Sequence, residues 1–444
     1  MRTLALPIAL ALSLSSLPAL AETPPDRAAQ LQDLEAARTD YLPKEMAYTP
    51  QTRALAQARL QAMEAQAGKL TAAQMLVGLA QVGALTDNAH SGIRYHDPKA
   101  APPARLPLRL LWFPDGLIVA RATGAAADLA GARVLRIEGR TPEALYERIK
   151  GLQGGKAVDR RKYLPEFIES VGLMQAMGVA RSPDHLAFTL RLGDGRTVTR
   201  QIAMTPKSDV SPTAAVERLW APDPVAKEAG WRPALAMGHT PLYLQDPDQP
   251  FRLVDLPHAL YIQFRTNEDA DGHPIAAFQD EVRARLKATP PANIVLDLRF
   301  DVGGNLLTTL AFMHDLPAAT PGRVFLLVGP YTYSAGIISA AAVKKAGGDR
   351  VTIIGDEPGD RPHFWSEGGL TRLPNSGLGL RYTNGQFDLE HGCAGQPGCM
   401  DKMVDVNFVS LTPDIPAPLT AQAWLAGRDP ALEAVTAALV RPSR

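Results

Sequence analysis

Two stretches decide how this chain folds: Ile294-Val295-Leu296-Asp297-Leu298-Arg299-Phe300-Asp301-Val302-Gly303-Gly304-Asn305, and Val324-Phe325-Leu326-Leu327-Val328 leading to Tyr331-Thr332-Tyr333-Ser334-Ala335-Gly336. Each opens as a short run of β-branched and large apolar residues, the texture of a strand covered on both faces. The second continues into the small-residue helix Ile337 to Ala346, and a further strand follows at Val351 to Ile354. Strands alternating with helices predict an α/β layer. Ligands of open α/β sheets collect at the carboxyl ends of strands, which is where both unusual turns fall. Paired glycines such as Gly303-Gly304 let backbone N–H groups approach a reacting oxygen, as an oxyanion hole requires, although most such pairs are plain turns. Ser334 stands at a strand-to-helix junction, where the helix dipole and free N–H groups favour negative charge; taken alone, it also fits an ordinary helix N-cap.

Upstream, Tyr261 to Phe264 reads as another strand, and Ile275, Phe278, Val282 and Leu286 as one face of a helix, so the layered region runs from 258 to 444. Residues 206–257 carry Pro222, Pro224, Pro247 and Pro250 and read as a crossover. Residues 96–205 consist of short apolar runs such as Gly116 to Val119 and Val134 to Ile137, a helix at 142–150, and a hairpin from Phe188 to Ile202 turning at Gly193-Asp194-Gly195. Residues 22–95 are helical by the spacing of Ala56, Leu60, Met63 and Ala67, with a capping box from Thr71 to Gln74.

The chain begins Met1-Arg2 and continues through an apolar run of Leu, Ala and Ile to Ala19-Leu20-Ala21 before Glu22. This pattern predicts a secretory signal over 1–21, cleaved ahead of Glu22, and hence a periplasmic or secreted protein. An uncleaved membrane anchor competes, but the apolar run is short and interrupted by serines. No later stretch is long and apolar enough to span a bilayer. Of 444 residues 46% are hydrophobic, enough for several cores, and Lys plus Arg equals Asp plus Glu at 46 each. The overall charge therefore calls for neither a nucleic acid nor an anionic membrane as partner. The two cysteines, Cys393 and Cys399, are expected to form a disulfide in an oxidising compartment. A metal site using His391 competes with this, but three clustered candidates without a distant partner make a weak zinc pattern.

The order of the turns, Asp297-Leu298-Arg299 with Gly303-Gly304-Asn305, then a strand ending in Ser334-Ala335-Gly336, then a strand closing on Ile354-Gly355-Asp356, resembles the core of the C-terminal-processing (S41) serine peptidases and their tricorn-like relatives. Thr412-Pro413-Asp414-Ile415 and Gly427-Arg428-Asp429-Pro430 are similar to that family's closing segment, and Asp87-Asn88-Ala89-His90 resembles its Asp-x-His element. The stretch Gly131 to Gly139 looks like part of a reduced PDZ-type module. The resemblance thus implies a protease core with a ClpP/crotonase-like layered sheet, preceded by an N-terminal helical bundle and a PDZ-like α+β module. It also implies peptide or protein substrates and acyl transfer without a metal or cofactor. Ser334 would be the nucleophile, with the N–H groups of Ala335 and of Gly303 or Gly304 receiving the oxyanion.

One branch of the family takes a lysine as base, but Glu357-Pro358-Gly359-Asp360-Arg361 contains none, and arginine does not deprotonate at working pH. The other branch uses the histidine that His90 matches. Counting back from the matched tail places Asn407 where the family has its orienting acid; Glu367 is an alternative carboxylate and Asp405 a weaker one. The missing lysine and the Asn at an acidic position also leave open a non-catalytic peptide-binding protein of the same fold. No Gly-x-Gly-x-x-Gly follows a strand, no Walker loop or His-Glu-x-x-His occurs, and Ser334 is not flanked by Gly-x-Ser-x-Gly. Substrate specificity and oligomeric state are not encoded in any motif of the chain.

Overall fold

The computed structural model describes residues 26–96, 104–204, 220–222, 230–236, 238 and 240–440. The signal segment read at 1–21, and Pro224 of the crossover, lie outside the described residues. The described part opens with α1 (Arg27–Ala36), prolonged by a π turn (Ala37–Tyr41) and a single α turn (Leu42–Lys44), then α2 (Pro50–Glu64) and α3 (Ala72–Ala84). Thr49 and Thr71 close reciprocal capping boxes with Thr52 and Gln74, satisfying N–H groups that the first helical turn leaves unpaired. Ala56, Leu60, Met63 and Ala67 are buried, as their spacing requires.

After β1 (Gly92–Tyr95) comes an antiparallel sheet of β2 (Leu108–Phe113), β3 (Gly116–Thr123), β4 (Arg133–Ile137), β5 (His185–Arg191) and β6 (Thr197–Ala203), in that order, with β7 (Trp231–Pro233) paired to the end of β3. Helices α4 (Pro142–Ile149), α5 (Ala157–Ile168) and α6 (Val171–Ala176) lie between β4 and β5. One apolar cluster joins Leu34, Leu60 and Leu79 of the first helices to Val119, Leu145 and Phe188 of this region. The helical and sheet regions therefore share a core.

The second sheet is built from β8 (Phe251–Leu256), β9 (Ala259–Phe264), β10 (Ile294–Asp297), β11 (Val324–Val328) and β12 (Val351–Gly355), after which the chain forms β13 (His363–Ser366), β14 (Gly369–Arg372), β15 (Leu378–Tyr382), β16 (Gly385–Asp388) and β17 (Ile415–Pro416). Strand order is β17-β12-β11-β10-β9-β8, all parallel except β8. Strand β8 lies inside the stretch read as crossover; Pro247 and Pro250 mask it in the sequence, while Phe251 is buried against the sheet. Helices α7 (Ile275–Ala288), α8 (Leu310–Asp315), α9 (Ala335–Gly347), α10 (Ala421–Leu425) and α11 (Pro430–Val440) complete the chain. Asp297 pairs with Leu327 and Val328 with Gly355, so the turns leaving β10, β11 and β12 emerge along one edge. No described helix is long and apolar enough to cross a membrane.

Candidate active site

Ser334 joins β11 to α9 with φ 54° and ψ −125°, a backbone conformation that L-residues avoid at a cost of roughly 1–3 kcal/mol. Three hydrogen bonds hold the turn in that shape. Thr332 Oγ1 accepts from Gly329 N (3.0 Å) and donates to Leu298 O (2.7 Å), and Tyr333 N donates to Asp301 O (2.9 Å). The Ser334 side chain makes no cap bond, so the N-cap reading of this serine is not what the structure contains. Ala335 N–H begins α9 and has no intrahelical acceptor, and the helix dipole points its positive end at the same place.

The glycine pair packs onto this turn. A Cβ on Gly303 would lie 2.6 Å from Ser334 Cβ and 2.9 Å from Ala335 N, which only glycine at φ 95° avoids. Its own N–H, however, donates to Asp301 Oδ1 at 3.0 Å. Of the two glycines expected to receive an oxyanion, Gly303 thus serves by its size, and the N–H of the exposed Gly304 is the remaining candidate beside Ala335.

His90 lies in the turn between α3 and β1 and is buried. The turn is pinned from several directions. Asn88 Nδ2 donates to Ser91 Oγ (3.0 Å), Trp365 N donates to Asn88 Oδ1 (3.2 Å), Ser91 Oγ donates to Glu45 Oε2 (2.8 Å), and Gln153 Nε2 donates to Ala89 O (3.2 Å). The imidazole is stacked against the Tyr333 ring, 4.3 Å between centroids at 17°, and against Phe364 at 5.6 Å and 13°. His90, far from Ser334 in sequence, therefore packs against the ring that precedes the serine. His90 Nδ1 stands 3.3 Å from Asp360 Oδ2, an ion-pair distance without hydrogen-bond alignment. Burial pulls the imidazole pKa below its ordinary value, and the Asp360 carboxylate opposes this only in part.

The two residues singled out as orienters lie elsewhere. Asn407 packs with Asp401 around Gly392, beside the disulfide loop, and Glu367 is exposed on the turn after β13, against Gly385. The charged groups that act on His90 are instead Asp360, Arg381 and Asp159. The tail itself does reach the site, since Val409 and Leu411 share a cavity with Ile337 and Asp360. Asp405 is likewise exposed, paired with Lys345. Asp360 lies in the lysine-free segment Glu357 to Arg361, and its carboxylate has no local signal that marks its partner. Its loop is held on the serine turn by Gly359 N donating to Thr332 O (2.9 Å), and a side chain at Gly359 would strike Pro330 O at 2.3 Å.

Cys393 and Cys399 are bonded to each other, with Cα atoms 5.4 Å apart, so neither sulfur is available to a metal. His391 is exposed and faces Asp388. Next to the first turn of α9, Ile337, Leu389, Val409 and Leu411 wall a cavity of about 150 Å³ with Asp360 at its edge.

Among solved structures, the chain is similar to mature CPAF complexed with lactacystin, at 14% identity over 93% of this chain and 97% of that chain, with a TM-score of 0.54. Mature CPAF by itself aligns at 13% identity over 92% and 96%, with a TM-score of 0.53. The fold is that of an S41 peptidase. A photosystem II D1 C-terminal processing protease aligns over 94% of this chain and 98% of that chain at 15% identity, with a TM-score of 0.39. No protein-family model and no curated protein matches the sequence. Within the S41 fold, the strained Ser334 turn is the junction of the central strand with its following helix.

Proposed function

We propose that this chain is an exported serine peptidase that cleaves peptide bonds by acyl transfer, with Ser334 as nucleophile, His90 as general base and Asp360 as the group that orients His90. The observation that supports the proposal is a serine held in a strained strand-to-helix turn whose preceding residue, Tyr333, stacks on a buried histidine that contacts a buried carboxylate at 3.3 Å. The lowered imidazole pKa keeps His90 neutral near pH 7, the form that can accept the Ser334 proton. As Ser334 Oγ attacks the carbonyl, the Ala335 N–H and the α9 dipole receive the developing oxyanion, with Gly304 as second donor. Asp360 faces Nδ1 and stabilises the imidazolium, which then returns its proton to the leaving amine. The cavity beside Ile337, lined by Leu389, Val409 and Leu411 together with Lys156, Glu357 and Arg361, takes a side chain of the substrate.

Labelling with a fluorophosphonate and cleavage of an unstructured protein such as casein test the proposal. Both are expected in the wild type and lost in Ser334→Ala, and lactacystin, the compound bound by mature CPAF, is expected to compete with the label. Folded wild-type protein that neither labels nor cleaves would refute it and favour a peptide-binding protein of the same fold.

A further inference from the structure

Helix α5 carries an ion pair in which both members are buried: Lys162 Nζ lies 2.8 Å from Asp159 Oδ1, with side chains 6% and 0% exposed. Taking two charges out of water is costly, and a well-packed apolar pair of the same volume is often as stable or more so, so the position calls for a reason beyond stability. Lys162 is not a base in waiting. Burial works to lower its pKa, but Asp159 together with Tyr163 and Tyr331 raises it, and the net shift is upward, so the amine stays protonated.

The reason lies in what the pair touches. Lys162 Nζ stands over the Tyr333 ring, 4.2 Å from its centroid, while the His90 imidazole stacks on the same ring at 4.3 Å. Both the ammonium and the imidazole thus bear on this one ring. The contacts run from Lys162 through Tyr333, His90 and Phe364, and end on Phe387, stacked 5.2 Å beyond. Lys162 Nζ also lies 3.4 Å from where a Cβ on Gly359 would stand, next to Asp360. Asp159 reaches the other flank. A Cβ on Gly155 would meet Ala89 Cβ at 2.8 Å and Asp159 Oδ2 at 3.0 Å, and one on Gly154 would meet Asn88 O at 2.4 Å, so the turn ahead of α5 wraps the backbone that bears His90. Arg160 pairs with Asp87 at 2.5 Å, and Lys156 with Glu357 at 2.9 Å.

We propose that Asp159 and Lys162 are positioning residues of the catalytic site: the ammonium fixes the Tyr333 ring that seats the His90 imidazole, tying helix α5 of the first sheet region to the serine turn of the second. A cation over an aromatic face is attracted by the ring quadrupole, more strongly when desolvated, which favours one ring orientation over its alternatives. The role rests on His90 being the base, so its test is read on the imidazole itself and not only on turnover.

The experiment labels histidine rings isotopically and records their NMR signals, with the His90 lines identified by their absence in His90→Gln. Sandwiched between Tyr333 and Phe364, the His90 ring protons are expected well upfield of ordinary histidine in the wild type and in Lys162→Arg, whose guanidinium can take the same face. In the double variant Asp159→Asn, Lys162→Met, which removes both charges and so leaves no unpaired charge, those lines should move toward ordinary positions. There kcat should fall tenfold or more with KM within twofold. Lys162→Met alone, with Asp159 free to take up a proton, provides the same readout should the double variant fail to fold. Unchanged His90 lines and kcat in the folded variant would overturn the positioning role. Absent turnover in a wild type with upfield lines would overturn only the peptidase assignment, and the ring signals would still decide the role of the pair.

Discussion

Replacing Asp360 by Asn is the most searching perturbation of this site, because it changes one atom and leaves the packing of a buried side chain intact. In the transition state His90 becomes an imidazolium with its Nδ1 3.3 Å from the carboxylate. At an effective dielectric of about 20, two unit charges at that distance attract by about 5 kcal/mol. At 1.36 kcal/mol per factor of ten, this corresponds to between three and four powers of ten in rate. Part of it survives in the Asn dipole, and part of it was never realised, since the contact is not aligned. A loss of about a thousandfold in kcat/KM is therefore expected, together with a lower midpoint of the acidic limb, because the group that raises the His90 pKa is gone. The assay is cleavage of a single fluorogenic peptide from pH 5 to 9, alongside Asn407→Ala and Glu367→Gln, both expected within about threefold of wild type on the triad logic that only the group facing His90 counts. An Asp360→Asn enzyme within threefold of wild type, or an Asn407→Ala enzyme as damaged as Asp360→Asn, would refute the assignment of the orienting group.

Gly303→Ala should cost roughly 2–4 kcal/mol of stability, from an unfavourable φ plus overlap with Ser334 and Ala335, and should reduce labelling of Ser334 far more than it reduces folding; urea melts and fluorophosphonate rates check the two separately. The acidic limb of kcat/KM should have its midpoint below 6.5, the ordinary histidine value, because burial holds the folded imidazole pKa down. The same shift makes the folded state bind its proton more weakly than the unfolded state. Its contribution to stability is therefore present above the unfolded pKa and lost as pH falls through the folded one, a slope that should flatten in His90→Gln. Removing the Cys393–Cys399 bridge, which closes a loop with a sequence separation of 6, should cost roughly 2 kcal/mol and change kcat by less than threefold, as measured on the double Cys→Ala variant.

Local patterns are visible to a reader of the sequence because each is decided within a few neighbouring residues. The capping box at Thr71, the helical faces of α2 and α7, the buried strands β10 to β12 and the turn at Ser334 all follow from spacing and composition along the chain. His90 was legible only through its likeness to a known element, and its depth, its stacking and its pKa were not. The tertiary structure alone brings Asp360 to His90, across a sequence separation that no periodicity spans. It likewise packs Asn407 against Gly392 beside the disulfide loop, occupies the Gly303 N–H with Asp301, and lays Lys162 from the first sheet region onto Tyr333. The physical reason is the same in each case. A nucleophile's turn is a property of local backbone conformation, whereas a base's partner is a property of which loops meet in space, and that is settled by packing between elements that the chain order does not reveal.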